Sequence, residues 1–156
     1  MINNLLFRDA IVNDVSSIIN LFRLLVNKHI DARQDFRPEF DEYQYNTYLT
    51  TAIIENKSVV SVVVKDDEII GFAIGKIQSI TKHLFLKDIL IGEIQYLIIK
   101  DEYKKNGIAK KLLNFLEEKL YLLGAQNFEA RVFSFNDEVH MEKVGYSEKY
   151  RIYEKV

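Results

Sequence analysis

Apolar and polar positions recur along this chain with two periods, and the changes of period mark its elements. The opening "LLFRDA" is short and apolar-rich and predicts a strand. Val15, Ile18, Ile19, Phe22, Leu25 and Val26 then fall at helical intervals. They form one buried stripe on a helix that Asn13 or Asp14 can cap. "HIDARQDFRPEFDEYQYNTY" breaks the pattern. It holds the only proline, Pro38, and mixes acids with aromatics, which predicts a loop leading into a second helix over about Glu39 to Ile54. "SVVSVVVKDDEIIGFAIGKIQSI" is two β-branched runs hinged at "KDDE", a hairpin pattern. "FLKDILIGEIQYLIIK" contains a further strand, strongest from Glu93 to Ile99. Helical spacing returns at Ile108, Leu112, Leu113, Leu116, Leu120 and Leu123, with Gly124 placed as a C-cap. "NFEARVFSF" predicts a strand, "NDEVHMEKVGY" a short helix ending at Gly145, and "SEKYRIYEKV" a final strand. The order β-α-α-β-β-β-α-β-α-β contains no repeat, low-complexity stretch or linker. Residues 1–156 therefore read as a single α/β domain.

Composition narrows the function. A chain of 156 residues, 48% hydrophobic and 28% charged, buries a sizeable core. A formal net charge of -2 supplies no bulk attraction to DNA or RNA. The absence of cysteine excludes a disulfide scaffold, a cysteine-ligated metal and a thiol nucleophile. His29, His83 and His140 are scattered, and none pair at metal-ligand spacing. "MINNLLFRDAIVND" lacks the basic and apolar regions of a signal peptide. No apolar run approaches the roughly 18 residues of a membrane span. The expectation is a cytoplasmic protein with neither a metal nor a nucleic-acid or membrane partner.

"YKKNGIAKKLL", from Tyr103 to Leu113, carries the chemistry. It follows a strand and opens an amphipathic helix, whose first N–H groups lack intrahelical partners and whose dipole favours anions. Gly107 lets phosphate approach the backbone, Ala109 is the next smallest residue, and Lys104, Lys105, Lys110 and Lys111 add charge. A turn glycine beside a solvated lysine face is the alternative reading of the stretch alone. It is not a P-loop, because a second glycine and a Lys-Ser/Thr pair are missing. Nor does it carry the three glycines of a dinucleotide fingerprint.

With its context, the segment resembles the GNAT N-acetyltransferase superfamily. "KKNGIA" is similar to the family's pyrophosphate loop, Gln/Arg-x-x-Gly-x-Gly/Ala, with Lys104 at its first position. "LIIKDEYKKNGIAKKLL" resembles the surrounding region, with Asp101 where proline is usual. "FSFN" ends the next strand with Asn136, the family's asparagine beside the pantetheine arm, and "MEKVGY" resembles its "Y-E-K-x-G-F" ending. The opening "FRDAIVNDVSSIINLF" and the hairpin "DDEIIGFAIG" match as well. The resemblance implies one mixed, mostly antiparallel twisted sheet of six to seven strands, flanked by helices and splayed at its centre. It implies acetyl-CoA as cosubstrate, held by Leu97, Ile98 and Ile99 of the central strand, by Lys104, Lys105, Asn106, Gly107, Ile108, Ala109 and Lys110 of the loop, and by Asn136 and Lys143. A homodimer is among the assemblies it allows.

The implied reaction moves an acetyl group from acetyl-CoA to a primary amine by direct attack. A non-catalytic acyl-CoA sensor is the alternative. The family's thiolate acid is the tyrosine of "Y-E-K", and Met141 stands there. His140, Tyr146 and Tyr96 are the candidate replacements. Glu93, and more weakly Glu129, are the candidate bases. Regular alternation puts Glu93, Gln95, Leu97 and Ile99 on one face until a bulge shifts the register. Acceptor amines are expected near the N-terminal half, where Asp31, Asp35, Glu39, Asp41 and Glu42 outnumber Arg33 and Arg37.

Overall fold

The computed structural model describes residues 2–56, 58–132 and 140–156. At its centre lies the hairpin of β2 (Val59–Lys65) and β3 (Glu68–Ile80). Its two-residue loop, Asp66 and Asp67, has φ of 47° and 66°. Left-handed conformation at both positions is the type I′ turn, whose twist matches that of paired strands. β1 (Leu5–Asp9) adds to β2, and β4 (Ile89–Ile99) adds to β3, both antiparallel. β5 (Asn127–Ala130) pairs with β4 in parallel, so the five-stranded order is β1-β2-β3-β4-β5.

Helices cover both faces. Ile18, Phe22 and Leu25 of α1 (Val15–Ala32) and Leu49 of α2 (Glu42–Ile54) pack on Val62, Phe72, Ile74 and Ile98. The opposite face carries α3 (Ile108–Leu122), whose Ile108, Leu112, Leu116 and Leu120 pack on Val63, Ala73, Ile94 and Ile99. Apart from Ala73, each of these side chains contributes roughly 1.5–3 kcal/mol by leaving water. α3 ends where its apolar spacing ends. Gly124 is left-handed at φ 104°, its N–H donates to Tyr121 O at 2.9 Å, and that of Ala125 donates to Leu120 O at 3.0 Å. Both bonds of a Schellman cap are present.

Several expectations change. Among the described residues the sheet has five strands, against the expectation of six to seven. Of the strand expected over 127–135, β5 is described from Asn127 to Ala130 and residues 133–135 lie outside the described residues, and the stretch predicted as a last strand, residues 147–156, forms none. Tyr150, Ile152 and Tyr153 there are exposed. Side-chain ion pairs hold the segment instead, Lys149 with Glu129 and Arg33 with Glu154. Of the short helix expected over 136–146, residues 136–139 lie outside the described residues, and the rest contains a 3-10 turn, Met141–Val144, closed by left-handed Gly145. α2 begins at Glu42 rather than Glu39, because the Asp41 carboxylate accepts from Gln44 N–H at 3.2 Å and fixes the start there. Among the described residues no helix is long and apolar enough to cross a membrane, and no three acidic or imidazole side chains gather as a metal site.

Asp14 does not cap α1 with its side chain. Its carboxylate reaches back to the Ile11 N–H at 2.8 Å and takes two bonds from Arg8, at 2.7 and 3.0 Å. Burial pushes this carboxyl up, but the Arg8 hydrogen bond, the Ile11 amide and the Arg8 charge together hold it below its usual range. A lowered carboxyl stabilises the fold above its unfolded pKa of ~3.9, and the contribution disappears as pH falls through the folded value. Asp14→Asn is therefore expected to lose about 1.5–3 kcal/mol at neutral pH. Urea unfolding should show the deficit closing below about pH 4.

Candidate active site

β4 carries an irregularity that decides the geometry. Ile74 faces Tyr96 and Gly75 faces Ile94, so Gln95 is an extra residue, a β-bulge. Beyond it, Tyr96 lies against Phe22 of α1, with ring centroids 4.9 Å apart, and Ile98 joins the same core. Leu97 and Ile99 pack toward α3. Before the bulge, Gly92 faces Phe128 and Ala125 on the α3 side. Glu93 therefore faces the α1/α2 side, together with Tyr96, and not with Leu97 and Ile99 as unbroken alternation predicts.

Pairing of β4 with β5 runs from Ile91 to Ile94 and stops before the bulge. β3 remains paired to the end of β4, where Lys100 N–H donates to Ile70 O at 2.8 Å. Antiparallel ladders alternate, so the amides of Ile98 and Tyr96 point into β3 while those of Leu97 and Ile99 point away. Among the described residues no strand meets those two amides. Within the described residues, this edge of β4 past Ile94 therefore presents the Leu97 and Ile99 N–H groups without a paired strand.

The anion-ready loop stands at the end of that edge. After a 3-10 turn at Asp101–Tyr103, Lys105 and Gly107 adopt left-handed conformations, with φ of 64° and 73°. Asn106 braces the loop, its amide donating to Tyr103 O and Lys104 O at 3.1 and 3.0 Å. The first bond accepted at the helix start runs from Lys111 N–H to Gly107 O at 3.2 Å. The amides of Ile108, Ala109 and Lys110 are thus left for a ligand. A Cβ on Gly107 would meet nothing within 4 Å, so this side of the loop is open. Lys104 pairs with Asp101 at 2.9 Å, whereas exposed Lys105, Lys110 and Lys111 make no ion pair among the described residues.

On the α1/α2 side, four charged residues cross the sheet in a row. Lys76 of β3 is opposite Glu93, and Glu93 is opposite Glu129 of β5. Phe128 and Ala130 pack toward α3, so Glu129 shares the face of Glu93. Lys149 pairs with Glu129 from outside. Two tyrosines form the lip of this site. Tyr48 and Tyr96 stand 6.4 Å apart, each partly exposed. Burial, then the Glu93 charge, pushes the Tyr96 phenol up, and burial beside Tyr96 takes Tyr48 to about 12.

The remaining candidates belong to the segment after β5. His140 is exposed at the start of the 3-10 turn, followed by partly buried Met141 and exposed Lys143. Tyr146 packs on α3, and its phenol donates to Glu117 at 3.1 Å. Burial, then the Glu117 charge and that bond, raises its pKa. Asn136 lies outside the described residues. On the acidic rim, Asp35 binds Arg33, Glu42 binds Arg23, and Asp41 caps α2. Tyr48 is a wall residue that sequence reading did not single out; its helical position opposite Tyr96 becomes meaningful only once α2 is docked.

A family model described as Acetyltransferase (GNAT) family matches residues 25–146. Comparison with curated proteins gives no match. Among solved structures, a mutant of the BH1408 protein from Bacillus halodurans superposes with TM-score 0.85 at 18% identity, covering 97% of this chain and 99% of the other. A predicted acetyltransferase from Clostridium acetobutylicum, solved with acetyl-CoA, gives TM-score 0.77 at 18% identity, covering 97% and 96%. Glucosamine-6-phosphate N-acetyltransferase from Arabidopsis thaliana gives 0.72 at 15%, covering 97% of each chain. With more than half of its length matched by the family model, and with a strand–loop–helix unit that ends in free amides, this chain belongs to the GNAT acetyltransferase family.

Proposed function

We propose that this protein transfers the acetyl group of acetyl-CoA to a primary amine in a ternary complex. The observation that carries the reading is the loop of free amides at the start of α3, directly after the β4 edge that bears the Leu97 and Ile99 N–H groups, with Glu93 on the same strand. Pyrophosphate is held by the amides from Gly107 to Lys110, with Lys105 and Lys110 adding charge. The pantetheine arm runs along the β4 edge. Leu97 N–H, the first outward amide past the bulge, donates to the thioester oxygen and to the oxyanion that replaces it.

The amine approaches over the α1/α2 face, between Tyr48 and Tyr96. An alkyl ammonium of pKa ~10.4 costs roughly 4–5 kcal/mol to deprotonate at pH 7, and Glu93 takes that proton. The amine attacks the carbonyl carbon, the C–N bond forms, and the C–S bond breaks. The thiolate leaves with a proton. Tyr96 is the phenol on the Glu93 face, and its raised pKa keeps it protonated for that donation. Tyr146 is already committed to Glu117. Tyr146→Phe should therefore keep its turnover and pH profile within about twofold while costing roughly 1 kcal/mol of stability. Tyr96→Phe should lose the alkaline limb of that profile.

A screen of acetyl-CoA against amino sugars, polyamines, amino acids and peptides, read as free thiol, tests the reaction. At least one amine should support turnover. Tight CoA binding without turnover on any amine would leave the sensor reading in its place.

A further inference from the structure

The charged row across the sheet already contains two alkyl ammoniums, Lys76 within the sheet and Lys149 from the C-terminal segment. Glu93 and Glu129 are register neighbours on one face, and strands stand roughly 4.8 Å apart, so two carboxylates crowd one spot. A cation there relieves their repulsion. Lys149 supplies it by pairing with Glu129. The segment that carries Lys149 is anchored a second time, because Arg33 at the end of α1 donates to both Glu154 oxygens at 3.0 and 3.1 Å. Residues 149–154 thus run from β5 to α1 beside the face where the acceptor enters. Contact with Glu129 leaves 57% of the Lys149 side chain exposed. Exposed pairs of this kind are weak and exchange readily. One strand spacing separates the partner Lys149 has from Glu93.

We propose that Lys149 is an intramolecular acetyl acceptor of this site. The inference rests on the acetyl-CoA reading above. Tethering replaces a bimolecular encounter with a local one, which favours this amine over any in solution. Glu129 positions the ammonium and Glu93 removes its proton. The Lys149 nitrogen attacks the thioester carbon, the C–S bond breaks, and the second ammonium proton ends on the departing thiolate. The products are an Nε-acetyl group, free CoA thiol and one proton released to solvent. Acetylation removes the charge that pairs with Glu129 and so frees the carboxylates for another amine.

Incubation of the full chain with isotopically labelled acetyl-CoA, followed by peptide mass spectrometry, tests this. Lys105, Lys110 and Lys111 serve as comparators, since they are exposed beside the loop proposed to hold the cosubstrate. Lys149 is expected to be labelled first, at a rate independent of protein concentration, and about tenfold more slowly in Glu129→Gln. Lys149→Arg should keep the ion pair and abolish label at this position. Calorimetric titration with CoA checks that each variant retains the fold and the loop. Labelling of Lys149 no faster than the comparators, at a rate that rises with protein concentration, or unchanged in Glu129→Gln would overturn the assignment. External amine turnover with Lys149 unlabelled overturns it while leaving the transferase reading intact; neither CoA binding nor turnover brings down both.

Discussion

Gly107→Glu is expected to weaken CoA binding by about 10²-fold, measured by calorimetry. Two effects combine. A left-handed conformation costs a non-glycine residue roughly 1–2 kcal/mol, which strains the loop. The larger effect is a carboxylate placed where free amides await a pyrophosphate, since juxtaposed like charges cost several kcal/mol. The fold should survive, because the side of Gly107 that a Cβ would occupy is empty. Gly107→Ala separates the effects, since it carries the strain without the charge and should lose only about tenfold. Parental CoA affinity in folded Gly107→Glu would remove the loop from the cosubstrate site.

Glu93→Gln should lower kcat by about 10²–10⁴, the usual range for a positioned general base. Glutamine keeps the shape and hydrogen bonding of glutamate but cannot accept the amine proton. The KM for acetyl-CoA should stay near the parent value, since Glu93 lies on the face away from Leu97 and Ile99. A variant with parental kcat would move the base elsewhere.

Much of this was legible in the chain. α1 and α3 announce themselves through unbroken apolar spacing, and the "KDDE" hairpin through two aspartates that tolerate left-handed conformation. The turn before α3 was legible because Gly107, at φ 73°, takes a left-handed conformation that favours glycine. Glu93 with Tyr96 was less so. Periodicity assumes one residue per step, and the surplus at Gln95 reverses the parity of all that follows. The C-terminal stretch misled for a different reason. "SEKYRIYEKV" has strand-like composition, but a strand requires an edge to pair with, and β5 is only four residues long. Tyr146 matched a family position while its phenol went to Glu117, a partner 29 residues away that no local pattern reveals.

The bulge has one more implication, about length rather than identity. Without Gln95, Ile94 and Tyr96 would be consecutive, and every side chain of β4 would keep its present face. What would disappear is the local kink and added twist that the bulge gives β4 just past its pairing with β5. A regular β4 would run straight on past Ile94 with all the chemistry still in place. Gln95 thus matters for being surplus, not for its amide. A scan by replacement would pass over it as an indifferent position. A deletion would expose it, and drift in the lineage should tolerate almost any residue at this position but never its absence.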